Sequence, residues 1–198
     1  MSFHAILTLF AIALAAAWTP GPNNALLAGS GAKFCLRRTV PHALGVGLGF
    51  PAMVFIIGLF LGVTFKNSAI FRDLIRYGGA AMLLWVAWKI AHTGGLGKAS
   101  GPARPFRFHE AAAFQWINPK GWVMAVSLTA QYVNPNRMWG SVLIISGVFL
   151  VAGLSSAFGW AALGTSMRRF LSIGHRTRYF DISMGGIIAL GVIALLLE

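Results

Sequence analysis

Acidic side chains are nearly absent from this sequence of 198 residues, which has four Asp or Glu against sixteen Lys or Arg. Cysteine occurs once, as Cys35, so no disulfide can form within the chain. The five histidines are scattered, and none has a partner at the spacing of metal ligands. These shortages argue against a metal site, either catalytic or for a transported metal ion, and we expect no cofactor.

Charge of either sign is also scarce, because only 10% of the residues are charged while 57% are hydrophobic. A soluble domain would carry about a quarter charged residues. The charged residues separate long apolar runs, and a membrane span needs roughly 20 residues. The sequence therefore predicts an all-α integral membrane protein with six transmembrane helices, at residues 1–32, 39–65, 74–91, 111–133, 138–167 and 182–197.

The net charge of +12 does not indicate a nucleic-acid partner, because the basic residues lie in the connections between spans. Ten of the sixteen fall in residues 33–38, 98–107 and 168–178, which share one side of a six-span protein. Cytoplasmic loops are enriched in Lys and Arg. We therefore expect these connections in the cytoplasm of a bacterial inner membrane protein and both termini outside the cytoplasm.

Two polar, helix-breaking segments interrupt the apolar runs. The first span contains Thr19-Pro20-Gly21-Pro22-Asn23-Asn24, and the fourth contains Asn118-Pro119-Lys120-Gly121. Lipid cannot bond the backbone groups that proline and glycine leave unpaired, so each break must face protein or a watery cavity. Broken helices in corresponding places are typical of a transporter's binding site.

The residue types in the two breaks predict a site for a small zwitterion. Pro22 and Pro119 each suit the first position of a half-helix, whose N-terminal N–H groups attract anions. Asn23, Asn24 and Asn118 add neutral donors and acceptors. We predict a substrate-binding site made of Thr19, Pro20, Gly21, Pro22, Asn23, Asn24, Asn118, Pro119 and Lys120, with no catalytic residue.

Lys120 is the only charged residue deep in a span, where a lysine costs roughly 2.5 to 3.5 kcal/mol. This cost favours a functional role, as a counter-ion for a carboxylate or as a proton-linked group. The alternative is that its side chain extends to the membrane interface. Its position ten residues into a run of 23 disfavours that alternative.

The chain also resembles itself in two halves, residues 1–91 and 111–198, joined by a connector at 92–110. The breaks correspond, and Asp73 before Gly78-Gly79 corresponds to Asp181 before Gly185-Gly186. Three spans in each half would make this a 3+3 inverted repeat within one transmembrane domain, residues 1–198. Ion pairing with nearby arginines is the expected role of both aspartates, and a part in proton coupling stays open. Gly45 and Gly49 have the spacing of a close helix contact.

The first break, followed by Arg37-Arg38, Pro41 and Leu44-Gly45, resembles the opening motif of the LysE/RhtB family of amino-acid exporters. Asn118-Pro119-Lys120 is similar to its second motif, and residues 78–91 resemble its third span, so the resemblance covers nearly the whole chain. The resemblance implies export of an amino acid or derivative, exchange for protons, and a homodimer. The segments at 47–50 and 85–91 look closest to the cysteine and O-acetylserine branch.

Two departures from the family pattern bear on the substrate. Many members have an aspartate where this chain has Phe50 and Pro51, and many have asparagine where it has Asp181. The first departure disfavours a dibasic substrate. The sequence thus predicts a secondary active exporter of small neutral amino acids, such as cysteine, O-acetylserine, homoserine or threonine.

Other functions stay open at this stage. A passive channel or a scaffold subunit would also need six spans. An intramembrane serine protease is disfavoured because Ser30 in Gly29-Ser30-Gly31 needs a histidine base, and we expect no histidine deep in a span. Ala15-Ala16-Ala17 resembles a signal-peptide cleavage site, yet no Lys or Arg precedes it and the apolar run continues to Gly31.

Overall fold

The computed structural model of the chain describes residues 1–60 and 104–167, and the isolated residues 179, 182, 183 and 186. This part is helical and contains no strand, in agreement with the all-α prediction. Short 3₁₀ turns lie at Gln115–Ile117 and Pro135–Arg137. The helices are α1 (Phe3–Trp18), α2 (Pro22–Phe60), α3 (Phe108–Phe114), α4 (Pro119–Tyr132) and α5 (Met138–Ser166).

Both predicted helix breaks are present, and proline begins the helix after each. α1 ends at Trp18, Thr19 leaves the helical conformation, and Pro22 begins α2. At the second break Asn118 has φ −86° and ψ 106°, the extended backbone that a following proline favours. Pro119 then occupies the first turn of α4, where its missing N–H costs no helical hydrogen bond.

A third break divides α2 at Cys35, inside the connection that the sequence predicted at residues 33–38 between spans one and two. Cys35 has φ 68° and ψ 161°, a region that residues other than glycine rarely adopt. The hydroxyl of Thr39 donates to the Cys35 carbonyl at 2.9 Å. The kink separates a first arm of α2, residues 22–34, from a second arm, residues 36–60.

α1 and the first arm of α2 together form one broken crossing that runs parallel to α5. Ser156 of α5 donates a hydrogen bond to the Ala17 carbonyl of α1. Further along the chain, Thr165 of α5 donates to the Gly31 carbonyl in the first arm of α2. The sixteen residues of α1 extend about 24 Å, which is less than the roughly 30 Å of a bilayer core. Both pieces are therefore needed for one span, as the sequence predicted for residues 1–32.

The second arm of α2 runs antiparallel to α5 and parallel to α4. A Cβ atom added at Gly47 would meet Leu154, whereas one added at Gly58 would meet Val142 and, at 3.4 Å, Thr129 of α4. These are the relative directions that a six-span arrangement requires of spans one, two, four and five. Spans three (74–91) and six (182–197), with Asp73 and Asp181, lie outside the described residues.

Glycine sets how closely these helices approach. A Cβ atom at Gly31 would overlap the Ala161 carbonyl, and one at Gly164 would overlap the Ala28 carbonyl, so α2 and α5 touch backbone to backbone. Gly45 and Gly49 place α2 against α3 in the same way, which confirms the predicted close contact. Among the described helices, two are long and apolar enough to cross a membrane, Pro22–Leu59 and Met138–Ser166.

Candidate functional site

The two helix breaks lie against each other. The Lys120 ammonium, two residues into the second break, donates to the Thr19 carbonyl in the first at 2.6 Å. The side chain of Lys120 crosses Gly21 so closely that an added Cβ atom would lie 3.0 Å from Lys120 Cδ. The half-buried lysine therefore reaches into the protein at the first break, which disfavours the alternative in which it extends to the membrane interface.

Neutral side chains hold the end of α1 in place. Asn24 Nδ2 donates to the carbonyls of Ala17 and Thr19, each at 2.9 Å, and Ser156 Oγ donates to the Ala17 carbonyl at 2.7 Å. The last carbonyls of a helix have no partner within it and carry the negative end of its dipole. Asn24, Ser156 and Lys120 thus satisfy the α1 terminus where lipid would not.

A second amide contact joins the first arm of α2 to the turn before α4. Asn23 Nδ2 donates to Gln115 Oε1 at 2.8 Å, and Gln115 Nε2 lies 3.4 Å from Asn23 Oδ1. Gln115 is fully buried and also donates to the Ala111 carbonyl at 2.8 Å. The two breaks are therefore linked by an amide pair as well as by Lys120.

The breaks enclose a cavity of about 60 Å³, which has room for several water molecules or a comparably small polar solute. Polar groups lie on the side of the breaks, and apolar groups of α2, α4 and α5 form the opposite wall. The lining residues are Ala16, Ala17, Gly21, Pro22, Asn23, Asn24, Val46, Phe50, Gln115, Asn118, Lys120, Gly121, Met124, Gly153, Ser156 and Ala157.

Asn118 is the least satisfied polar residue of this cavity. It is 4% exposed, and its Oδ1 atom has no hydrogen-bond partner among the described residues. It precedes α4 at the position where asparagine often caps a helix, yet its side chain makes no capping bond. A buried acceptor without a partner is costly, so this atom is available to a donor that enters the cavity.

The charge around the cavity is positive. Lys120 is the one charged side chain in the lining that the structure describes, and no carboxylate lies beside it. The N-termini of α2 and α4 border the same space, and each contributes the positive end of a helix dipole. The cavity thus combines an anion-attracting side with one open carbonyl acceptor.

The structure brings most of the predicted site residues together. The cavity is lined by Gly21, Pro22, Asn23, Asn24, Asn118 and Lys120. Thr19 contributes its carbonyl from outside the lining, Pro20 is not part of the lining, and Pro119 begins α4.

Sequence reasoning identified the rest of the lining less completely. Gln115, Gly153 and Ser156 stand out as polar or small residues in apolar runs, whereas the apolar wall carries no such signal. Gln131, Trp116 and Trp122 also stand out, but they do not line the cavity; Trp122 Nε1 instead donates to the Trp116 carbonyl at 2.8 Å.

One histidine is buried in the protein, near the start of the predicted second span. His42 is 2% exposed, and its Nδ1 atom lies 3.0 Å from Ser30 Oγ. The two residues are far apart on a straight helix, and only the kink at Cys35 turns the second arm of α2 back to Ser30. Within the described part of the chain, no three His, Cys, Asp or Glu side chains come together as metal ligands.

An ion pair fixes the chain where it enters α3. Arg104 bonds both carboxylate oxygens of Glu110, at 2.6 and 2.7 Å, and the backbone N–H of Arg107 donates to the same carboxylate at 2.7 Å. The hydrogen bonds from Arg104, with that from Arg107, lower the pKa of Glu110 to about 2. The same pairing raises the pKa of Arg104. This clamp positions α3, which carries the chain to Gln115.

Comparison with known proteins identifies relatives of this chain. Residues 14–198 match the family described as LysE type translocator. The cysteine/O-acetylserine efflux protein of Escherichia coli (strain K12) is 30% identical over 162 residues, which cover 79% of this chain and 80% of that protein. Proteins of the same description from Shigella sonnei (strain Ss046) and Shigella flexneri match equally well.

No solved structure matches the chain significantly. The family match covers nearly the whole sequence and includes both helix breaks. It is a family of translocators, which supports a transport rather than an enzymatic role in general terms. The chain belongs to the LysE type translocator family.

Proposed function

We propose that this protein exports a small neutral amino acid or amino-acid derivative from the cytoplasm, and that the substrate binds in the cavity between the two helix breaks. The observation that carries the proposal is the pairing of a half-buried cation with an open acceptor: Lys120 and Asn118 Oδ1 border one cavity. An α-amino acid presents a carboxylate and an ammonium group a few ångströms apart, so it complements both groups.

The carboxylate binds on the Lys120 side. An ammonium has three donors, and among the described residues Lys120 makes one hydrogen bond, to the Thr19 carbonyl. The first turns of α2 and α4 add backbone N–H groups without intrahelical partners. A carboxylate placed there makes charge-assisted hydrogen bonds in a poorly solvated space, where such bonds are strong.

The ammonium group binds at Asn118. Of the three asparagines in the breaks, Asn23 is bonded to Gln115, and Asn24 donates to the end of α1. Among the described residues, Asn118 Oδ1 is the one side-chain acceptor of the three that is buried without a partner. Asn23 and Asn24 therefore shape the site, and Asn118 recognises the substrate.

The apolar wall selects the side chain. Val46, Phe50 and Met124 form it, and Gly153 leaves space beside them. No described lining residue is acidic, so a second ammonium group has no counter-ion. Small neutral side chains fit this wall, and the printed function of the relatives makes cysteine and O-acetylserine the first candidates.

Substrate binding also supplies a route to the conformational change. The Lys120 ammonium holds the end of α1 through Thr19, and a substrate carboxylate attracts the same ammonium more strongly than a neutral carbonyl does. Binding therefore weakens the contact between the breaks, which lets one half of the protein rock against the other. The proposal also includes six membrane spans arranged as a 3+3 inverted repeat, a homodimer in the inner membrane, and exchange of the substrate for protons.

The test is efflux of labelled amino acids from cells that express the chain. Cells loaded with a panel that includes cysteine, O-acetylserine, threonine, homoserine and lysine should lose one or more neutral compounds faster than cells with an empty vector. Lys120→Met should abolish this loss, and Lys120→Arg, which keeps the charge, should retain part of it. Retention of every compound at the level of the empty vector would refute the proposal.

Saturation separates a carrier from a passive channel. Export through an alternating-access site reaches a maximum as the internal concentration rises, whereas flux through an open channel continues to increase. Acidifying the outside should accelerate export if protons are exchanged. A linear dependence on concentration would identify a channel.

A further inference from the structure

We propose that His42, hydrogen-bonded to Ser30 across the kink in α2, carries the proton that is exchanged for the exported substrate. The inference rests on the proposed export function. It starts from a pair that the substrate site does not use, because neither Ser30 nor His42 lines the cavity. An ionisable side chain in the interior of a membrane protein is costly. Its presence there therefore indicates a functional role by default.

His42 lies on the same face of α2 as two residues that line the cavity. His42, Val46 and Phe50 are spaced four residues apart, so they share one face of the second arm of α2. Val46 and Phe50 line the cavity, and His42 lies one turn beyond Val46, about 6 Å along the axis. It thus lies between the substrate site and the kink, on the side of the basic connection at 33–38.

The pair also connects two parts that can move relative to each other. Ser30 belongs to the first arm of α2 and His42 to the second, and the 3.0 Å contact between them bridges Cys35. Phe106, in the segment before α3, covers the imidazole with its ring centroid 5.1 Å away. In this state the histidine is closed to solvent, so a proton reaches it only when these elements separate.

Protonation changes what this contact requires. A neutral imidazole can accept the Ser30 hydroxyl proton at Nδ1, whereas an imidazolium has only donors, so Ser30 must then accept. The two protonation states therefore favour different arrangements of the arms. Once these elements separate and the imidazole meets water, it is the side chain whose unperturbed pKa lies between pH 5 and 8.

The charged groups on the described elements around His42 do not hold a proton on its imidazole. The proton therefore stays exchangeable. α5 has no titratable side chain, α1 has only His4 at its far end, and α4 has Lys120 in the substrate cavity and Tyr132 at its end. α3 has a carboxylate, Glu110, but Arg104 from the preceding segment is paired with it. The remaining nearby charged or titratable groups are Lys33, Cys35, Arg37, Arg38, Arg107 and His109. No described carboxylate is left to trap an imidazolium.

The cycle balances one proton against one substrate. When the site is open to the outside, the substrate leaves and His42 takes a proton from external water. When the site opens to the cytoplasm, the imidazolium returns that proton to cytoplasmic water and a new substrate binds. An N–H bond forms as an O–H bond of hydronium breaks outside, and the reverse happens on the cytoplasmic side; no other covalent bond changes.

Two transport modes in liposomes test the assignment. Exchange of labelled for unlabelled substrate at equal pH moves no net proton, whereas net efflux into an acidic exterior does. We expect His42→Gln to keep exchange and to lose the acceleration by the proton gradient. Ser30→Ala, which keeps the imidazole, should retain the acceleration with its pH midpoint shifted by about half a unit or more.

The outcomes separate this inference from the export function. A His42→Gln protein that is accelerated by the gradient as strongly as the wild type would overturn the inference while export stands. Loss of exchange together with acceleration would assign the pair a structural role and also overturn it. If His42→Gln fails to assemble, an unchanged pH profile of Ser30→Ala would overturn it. A wild type that exchanges no amino acid would refute export itself.

Discussion

At the scale of single residues, three asparagines that look alike in the sequence have three different positions. Asn24 donates to two carbonyls at the end of α1, Asn23 pairs with Gln115, and Asn118 leaves its carbonyl oxygen unbonded. All three lie within two residues of a proline that begins a helix, so the local sequence does not distinguish them. The difference arises from which neighbours the two breaks bring within reach.

Asn118→Ala should raise the KM for export and leave stability nearly unchanged. The residue makes no capping bond, so its removal breaks no hydrogen bond of its Oδ1 atom. Loss of one hydrogen bond to a charged group costs about 1.5–3 kcal/mol, which corresponds to a KM roughly ten-fold higher or more. Transport kinetics in liposomes and thermal unfolding in detergent measure both quantities.

Asn134→Ala is the matched control for Asn118→Ala. Asn134 also precedes a proline, but it is exposed and accepts a hydrogen bond from the backbone N–H of Asn136. Its KM should equal that of the wild type. Equal KM values for the two variants would remove Asn118 from substrate recognition.

At the scale of elements, the sequence predicted where helices begin better than it predicted which residues contact one another. Pro22 and Pro119 begin helices because proline restricts the backbone locally, and that restriction can be read from neighbouring residues. The kink at Cys35 has no such local cause, since cysteine does not favour positive φ. The contact of His42 with Ser30 depends on how the chain turns at that kink, so the sequence alone did not pair the two residues.

Gly31→Ala should destabilise the packing of α2 on α5. The added methyl group would overlap the Ala161 carbonyl, a backbone atom that cannot move aside cheaply. Overpacking of this kind costs typically 1–3 kcal/mol, so the thermal midpoint in detergent should fall by several degrees.

Gly147→Ala is the control on α5 itself, because nothing described lies within 4 Å of the added atom. Alanine favours a helix over glycine by about 0.5–1 kcal/mol, so the midpoint should stay or rise. A Gly31→Ala protein as stable as Gly147→Ala would contradict the close contact between α2 and α5.

The ion pair between Arg104 and Glu110 at the start of α3 predicts that the folded protein loses stability in acid. The pKa of Glu110 is lowered to about 2 in the folded protein, against about 4.3 in an unfolded chain. A lowered folded-state pKa means that the ionised carboxylate contributes stability above pH 4.3 and loses that contribution as the pH falls toward 2. Glu110→Gln should therefore remove part of the acid dependence of the thermal midpoint.

Glu110 is one of only four acidic residues, so few other carboxyl groups titrate over the same pH range. Thermal midpoints of wild type and Glu110→Gln between pH 2 and pH 6 give the comparison. The two curves should converge at the acid end. Parallel curves over the whole range would show that Glu110 is not clamped in the folded protein.

At the scale of the whole molecule, charge distribution and helix directions point to the same arrangement. α1 with the first arm of α2 runs parallel to α5, and the second arm runs the opposite way. The sequence predicted these spans because apolar length and the bracketing charges are properties of composition. It did not predict the Lys120 contact with Thr19, which depends on how spans one and four pack.

The predicted orientation can be tested by chemical labelling of introduced cysteines. In a Cys35→Ser background that still transports, Ser2→Cys should react with a membrane-impermeant maleimide in intact cells. Arg37→Cys should react only after the membrane is permeabilised, because its connection is rich in positive charge. Both residues are exposed in the structure. The reverse labelling pattern would place the termini in the cytoplasm.

The central claim is that both charged groups of an amino acid are recognised in the cavity between the breaks. The most direct measurement is competition, in liposomes containing the protein, between a transported amino acid and two of its derivatives. The methyl ester lacks the carboxylate that Lys120 binds, and the N-acetyl compound lacks the ammonium that Asn118 binds. We predict that neither derivative inhibits transport of the parent compound at concentrations where the unlabelled parent does, and inhibition by either one as strong as that by the parent would contradict the account.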